Sequence, residues 1–214
     1  MRRRLVSALT AATLAGGAAL VAVGPAAATA PPAGTSSLAA VLAADGDAFD
    51  RNWYDFDIVD RAVRTVLAAK PTSPVALLAD GTVPLTAFLP NDRAFQVLVA
   101  DLTRKFPLTE QKTFDAVASL GVDTVETVLL YHVVPGATLT SSAAFASDGA
   151  VFTTAQGGTV TLDVLSQKAR IAQLIDADTN DINAFLVRSK LDLNAGNVQI
   201  AHGVAFVMRP VDLR

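Results

Sequence analysis

Hydrophobic residues recur at helical spacing in the first two-thirds of the chain and alternate with polar residues further on. Apolar side chains repeat every three or four positions from Phe56 to Leu67, and the intervening acidic and basic residues face away. This period predicts an amphipathic helix. The same spacing predicts helices from Ser37, as the N-terminal cap, through Ala44, around Phe95–Leu102, and over Thr124–Tyr131.

Alternating or continuously apolar runs predict the strands. These runs cover Val83–Leu89, Thr159–Val164, Ala169–Ile175 and Gly203–Val207. Residues 176–197 are polar and predict an irregular insertion, with one helical turn near Ala184–Val187. Runs of helices followed by mostly antiparallel strands, without strand–helix–strand alternation, indicate an α+β fold.

The N-terminus has the pattern of an export signal. Three arginines precede an apolar stretch rich in small residues, and Ala26–Ala28 provides a small-x-small cleavage site. The sequence therefore predicts a signal peptide over residues 1–28, a flexible linker over 29–36 and one domain over 37–214, with an uncleaved membrane anchor as the alternative reading. The chain contains no cysteine, so the exported domain must be stable without disulfides.

The net charge of the mature chain limits the classes of binding partner. Residues 1–28 contain three arginines and no acidic residue, so their removal lowers the formal net charge from −3 to −6. A net acidic domain without a Lys/Arg run argues against nucleic acid and anionic membranes as partners. We expect a monomer without stable membrane insertion after cleavage. Arginine outnumbers lysine twelve to five, which is typical of a high-GC bacterial gene.

Three segments carry a family resemblance. The segments are Leu85–Phe95 (LTAFLPNDRAF), Leu129–Gly136 (LLYHVVPG) and Val198–Met208 (VQIAHGVAFVM). Together and in this order they resemble the first conserved motif, the Tyr-His motif and the second conserved motif of the fasciclin (FAS1) domain. The resemblance covers about residues 38–213 and implies a wedge of two β-sheets with helices along one side. Together with the export signal, the absence of an internal repeat and the arginine-rich composition, it indicates a secreted, single-domain bacterial member.

The resemblance also implies candidate binding residues. In adhesive FAS1 proteins of animals, the Tyr-His region and an Asp-Ile pair before the second motif are implicated in integrin binding. Tyr131 and His132 match the first pair, whereas Asn197 and Val198 occupy the Asp-Ile positions without the carboxylate. Tyr131 lies off the apolar stripe of its helix, so we expect one side of it to reach solvent. The alternative is that Tyr131 and His132 serve folding alone.

Candidate chemistry is sparse. His132 falls on an apolar helical stripe, which favours a hydrogen-bonded core imidazole, and His202 is predicted at a turn before the closing strand. Asp176, Asp178 and Asn180 have the spacing that begins a calcium loop, but the required Gly and Glu are replaced by Asp181 and Val187. The sequence therefore predicts no catalytic residue, metal ligand or cofactor.

Three functional hypotheses follow. The first is a non-catalytic module that binds an extracellular protein or glycan in cell adhesion or in the matrix. The second is a structural envelope protein or a carrier of a small apolar ligand. The third is a hydrolase. Fold alone does not decide among them.

Overall fold

Residues 33–46 and 48–213 are described by the computed structural model of the protein. The predicted signal peptide, residues 1–28, lies outside them. The described part of the predicted linker, residues 33–36, is not a free segment, because the backbone of Gly34 pairs with Gly196 and Val198. For these four residues the prediction of a flexible linker was wrong.

The helices lie in the first two-thirds of the chain, as predicted. They are α1 (Leu38–Asp45), α2 (Asp57–Ala69), α3 (Asp92–Thr103), α4 (Glu110–Ala118), α5 (Val122–Tyr131) and α6 (Ser141–Phe145), with 3-10 turns at Pro74–Ala79 and Arg188–Lys190. The strands are β1 (Leu85–Pro90), β2 (Val133–Pro135), β3 (Val151–Thr153), β4 (Thr159–Ser166), β5 (Ile171–Ile175), β6 (Ala184–Phe185) and β7 (Gln199–Val204).

The strands form two sheets. The first has the order β2-β1-β7 and the second has the order β3-β4-β5-β6. All pairings in the second sheet are antiparallel. In the first sheet β1 runs antiparallel to β2 but parallel to β7, with Leu85 opposite Gln199 and Pro90 opposite Val204. The α+β class and two sheets are confirmed, and one central parallel pair is the exception to the expected antiparallel pairing.

Strand β1 is buried on both faces, which makes it the centre of the fold. Leu85, Ala87 and Leu89 pack into the core formed with the helices, whereas Phe88 packs into a second core against the four-stranded sheet. Successive strand residues point to opposite faces, so a strand buried on both faces has no polar side. This explains why the first conserved motif is almost continuously apolar.

Local residues explain the corner from β1 into α3. Pro90 ends the strand, and the side-chain oxygen of Asn91 accepts a hydrogen bond from the backbone N–H of Ala94 at 2.9 Å. This is an ordinary N-cap, which satisfies one of the free amides of the helix. Asp92 is then the first helical residue, as Glu110 is in α4.

Two strand predictions were wrong. The closing strand is Gln199–Val204 and not Gly203–Val207, because the polar side chains of Gln199 and His202 are fully buried within it. Residues 176–197 are not irregular throughout. They contain β6, and Leu186 and Leu193 form bridges to Val204 and Ala201, so this segment extends both sheets.

Candidate functional site

The side chain of Tyr131 is buried and links two segments of the chain, so it is not an exposed binding residue. It is 1% exposed, and its hydroxyl donates to the carbonyl of Thr159 at 2.7 Å and accepts from the amide of Ala177 at 3.1 Å. Burial and the nearby Asp176 raise the pKa of its phenol. The expectation that Tyr131 reaches solvent was wrong, because its side chain packs into the second core, against the four-stranded sheet.

His132 is fixed as a neutral imidazole. Its Nδ1 donates to the carbonyl of Val128 at 2.7 Å, and its Nε2 accepts from the amide of Met208 at 2.9 Å. A carbonyl can only accept and an amide can only donate, so the partners determine the tautomer. Burial lowers the pKa of His132 to about 4. Neither nitrogen is available to take a proton from a nucleophile.

His202 has the opposite tautomer and lies within β7, not at the predicted turn. Its Nε2 donates to the carbonyl of Leu139 at 2.8 Å, and its Nδ1 accepts from the amide of Asp192 at 3.2 Å. Burial lowers the pKa of this imidazole as well. Both histidines of the chain are thus occupied by backbone hydrogen bonds on each ring nitrogen.

Asn197 and Val198 are half-buried and hold the segment before α1. The amide oxygen of Asn197 accepts from the amide of Ser36 at 2.9 Å, and the amide of Val198 donates to the carbonyl of Gly34 at 2.9 Å. Among the hydrogen bonds of the described residues, none joins this pair to Tyr131 or His132. The four residues predicted to bind a partner therefore make intramolecular hydrogen bonds, in two separate networks.

An exposed apolar surface lies on the outer face of the four-stranded sheet. In its central row Val151 on β3, Thr161 on β4 and Ile175 on β5 are direct neighbours. Leu162 and Leu174, one position along, point inward and are fully buried. Val151 is 61% exposed, and Leu165, Ile171 and Ile175 are also exposed. We call this surface the outer sheet face; Tyr131 supports β4 beneath it.

The segment with calcium-loop spacing instead surrounds a buried guanidinium. Arg209 pairs with Asp101 at 2.9 Å, Asp178 at 3.5 Å and Asp181 at 2.8 Å, and we call this group the Arg209 cluster. Asp176 accepts hydrogen bonds from the amides of Asp178 and Arg209. The oxygens that would bind calcium are thus directed to the chain's own amides and cation.

A cleft of about 300 Å³ opens beside the Arg209 cluster. Its wall is mainly apolar, and Arg209 and two of its carboxylate partners lie at one side. The lining residues are Ala94, Val97, Leu98, Asp101, Asn180, Asp181, Ile182, Phe206, Val207 and Arg209. Burial raises the pKa of Asp176 and of Asp181 to about 6 despite the nearby Arg209.

Comparison with known proteins identifies the class. The Fasciclin domain family model matches residues 62–204, about two-thirds of the chain, so the chain belongs to the fasciclin domain family. Among solved structures, it is similar to the FAS1 domain pair of the insect cell adhesion molecule fasciclin I, at 15% identity and a TM-score of 0.49. That match covers 72% of this chain and 48% of the other, so the chain spans about half the length of that domain pair. No curated protein matches the sequence.

The match to the fasciclin family confirms the resemblance that the three sequence motifs suggested. Fasciclin domains are known as adhesion-related binding modules, are generally non-catalytic, and are typically extracellular or surface proteins. Over the residues described here, no helix combines the length and apolarity needed to cross a bilayer.

Proposed function

We propose that this protein is a secreted fasciclin module that binds an extracellular protein in cell adhesion or in the matrix. The observation that carries the proposal is the outer sheet face. Aliphatic side chains of three strands are exposed there, in the Val151–Thr161–Ile175 row and at Leu165 and Ile171, with the Asp163–Gln173 pair between them. Protein interfaces bury such exposed apolar surfaces.

The composition of this face favours a protein over a glycan as the partner. Its most exposed members are aliphatic, whereas Tyr54 and Phe106, the exposed aromatic side chains among the described residues, lie in other elements. The cross-strand hydrogen bond from Gln173 to Asp163, at 2.7 Å, places a polar pair between the two groups of aliphatic side chains. Protein interfaces combine apolar area with hydrogen-bonding groups.

Tyr131 and His132 support this proposal indirectly. Tyr131 connects β4 to the segment after β5, and His132 connects α5 to the segment after β7. We propose that they position the binding surface and make no contact with the partner. Asn197 and Val198 remain proposed contributors at a second, partly exposed location.

The decisive experiment is solid-phase binding of the purified exported protein to matrix proteins, polysaccharides and cells. Val151→Asp should abolish saturable binding, because it places a charge at the most exposed aliphatic position of the outer sheet face. The matched control is Val211→Asp, since Val211 is 58% exposed and undergoes the same change elsewhere. Equal binding by both variants, or binding to polysaccharides alone, would contradict the proposal.

The cleft beside Arg209 supports a second candidate, a carrier of a small apolar ligand. Its volume is at the lower end of the range for ligand pockets, about 300–1,000 Å³. A carrier should retain a ligand through purification, which native mass spectrometry would detect. A ligand that Leu98→Trp excludes, while Val151→Asp retains it, would favour this function over adhesion.

A further inference from the structure

Three carboxylates from separate parts of the chain converge in the interior. Asp55 precedes α2, Asp92 begins α3 and Glu110 begins α4. One carboxylate oxygen from each lies within 4.8 Å of the other two. Asp92 and Glu110 are 0% exposed and Asp55 is 7% exposed. We call these three residues the Asp92 cluster.

Each carboxylate of the Asp92 cluster has a buried oxygen without a hydrogen-bond donor. Asp92 Oδ1 accepts from the amide of Ile58 at 2.9 Å, and Glu110 Oε2 accepts from the amide of Asp50 at 2.5 Å. In contrast, Asp55 Oδ1, Asp92 Oδ2 and Glu110 Oε1 accept no hydrogen bond from the described residues. An ionised carboxylate can only accept, so these oxygens require a proton or a cation.

The chain does not supply that cation from its described residues. No ion pair among the described residues includes Asp55, Asp92 or Glu110. The helix N-termini favour a negative charge at Asp92 and Glu110. They nevertheless provide no donor to the three buried oxygens.

The pKa values of Asp92 and Glu110 are raised, as expected for buried carboxylates without a positive partner. Burial, followed by the nearby Asp55 carboxyl, raises the pKa of Asp92 to about 9. Burial raises the pKa of Glu110 to about 7. A proton shared between Asp55 and Asp92 would relieve one repulsion, but Glu110 Oε1 would remain without a partner.

We propose that Asp55, Asp92 and Glu110 form a binding site for a divalent cation, with Ca²⁺ as the ion. Oxygen-only ligands suit hard cations. Ca²⁺ accepts variable numbers of carboxylate and water oxygens, whereas Mg²⁺ requires a nearly ideal octahedron. Ligands from separate elements fit the more flexible requirement.

The surroundings provide further ligands and a route from solvent. Asp50 and Asp57 each offer an oxygen within 4.8 Å of Asp55 and of each other. Glu110 and Asp50 line a cavity of about 410 Å³, together with Phe49, Arg51, Trp53, Leu108, Thr109 and Gln111. The exposed Asp50 thus extends the cluster toward water, which completes the coordination of Ca²⁺ in many sites.

The bound ion would connect the start of α2 with the first turns of α3 and α4. For a domain exposed to extracellular calcium, a dissociation constant of about 10⁻⁴–10⁻³ M is sufficient for occupancy. The site would therefore fasten the helical side of the domain after export. It does not involve the outer sheet face.

The test uses the exported protein after treatment with a chelator. CaCl₂ and MgCl₂ are titrated by calorimetry, and TbCl₃ is titrated by luminescence excited through Trp53, the only tryptophan of the chain. Wild type should bind Ca²⁺ saturably, more tightly than Mg²⁺, and Ca²⁺ should displace Tb³⁺. Glu110→Gln and Asp92→Asn should each weaken Ca²⁺ binding by about tenfold or more.

Two control variants make the result specific. Asp123→Asn also removes an acidic residue from the first turn of a helix, but it lies outside the cluster and should leave Ca²⁺ affinity unchanged. Val151→Asp should also bind Ca²⁺ normally, which separates this site from the proposed adhesion surface. Absence of saturable Ca²⁺ binding by the wild type, or unchanged binding by both cluster variants with native circular dichroism, would overturn the proposal.

Discussion

The Arg209 cluster and the Asp92 cluster show two ways in which this domain places acidic groups in its interior. In the first, one guanidinium from the C-terminal segment lies among Asp101, Asp178 and Asp181. In the second, three carboxylates converge without an ion-pair partner among the described residues. Buried charges are normally paired or coordinated to a metal. The difference therefore indicates a cation within the chain in one case and from solution in the other.

The largest expected effect comes from removing the internal cation. Arg209→Met leaves Asp178 and Asp181 buried and uncompensated, so it should lower the free energy of unfolding by about 3–5 kcal/mol. Urea denaturation at neutral pH measures this loss. Arg104→Met is the matched control, because Arg104 also pairs with Asp101 but is exposed. Its cost should be at most about 1 kcal/mol, and an equal cost for both arginines would contradict the importance of burial.

The second effect is a loss of stability in acid that arises from His132 and not from either cluster. The folded protein holds this pKa at about 4, below the ordinary value of about 6.5. The unfolded chain therefore binds more protons between these values, and stability is lost as pH falls from 6.5 to 4. The expected loss is about 3 kcal/mol.

Comparison of wild type with His132→Gln in urea at several pH values isolates this contribution. The variant should be less stable at pH 7, and the difference should shrink as pH falls toward 4. Asp176 and Asp181 have raised pKa values, about 6 for each, so their contribution has the opposite sign and persists in both proteins. A pH-independent difference would mean that the hydrogen bond from Met208 does not restrict protonation of His132.

A smaller loss of stability is expected when Tyr131 no longer holds the segment that carries the Arg209 cluster. Tyr131→Phe removes the hydroxyl that binds Thr159 and Ala177, the residue between Asp176 and Asp178. Buried groups left unpaired should reduce stability by about 1–3 kcal/mol. Thermal denaturation with Tyr54→Phe as the control checks this, since Tyr54 is exposed. Equal melting temperatures for Tyr131→Phe and wild type would show that the hydroxyl does not brace the sheet.

The smallest effect should distinguish the clusters by its sign. In chelator, Glu110→Gln relieves repulsion within the Asp92 cluster and should increase stability by about 1 kcal/mol. Asp178→Asn should instead decrease stability, because it removes a partner of Arg209. The same urea experiment measures both variants. A loss of stability from Glu110→Gln in chelator would indicate that the cluster already has a positive partner.

The sequence predicted elements whose determinants are local. The period of α2 and the alternation in β4 are properties of neighbouring residues, and both were confirmed. The β7 strand was misplaced because Gln199 and His202 appear polar in sequence. Their hydrogen bonds to distant residues, such as that of Gln199 to the carbonyl of Leu77 and that of His202 to the carbonyl of Leu139, permit their burial.

The candidate sites depend on contacts between segments that are far apart in the sequence. The exposure of Tyr131 was predicted from one helix, whereas a sheet formed by later residues decides its burial. The Asp92 cluster combines residues separated by up to 55 positions, and each of them alone resembles an ordinary acidic residue of a loop or of a helix N-terminus. The Asp176–Asn180 spacing resembles the start of a calcium loop, but Asp181 and Val187 led the sequence analysis to reject a metal there. In the structure Arg209 lies among these acidic side chains.

The most direct test of the difference between the Asp92 cluster and the Arg209 cluster is anomalous diffraction from crystals grown with Mn²⁺ in place of Ca²⁺. We predict a peak among the carboxylates of Asp55, Asp92 and Glu110, at metal–oxygen distances close to the usual range of about 2.0–2.6 Å, and no peak within the Arg209 cluster. A peak within the Arg209 cluster, or a well-ordered Asp92 cluster without a peak, would contradict it.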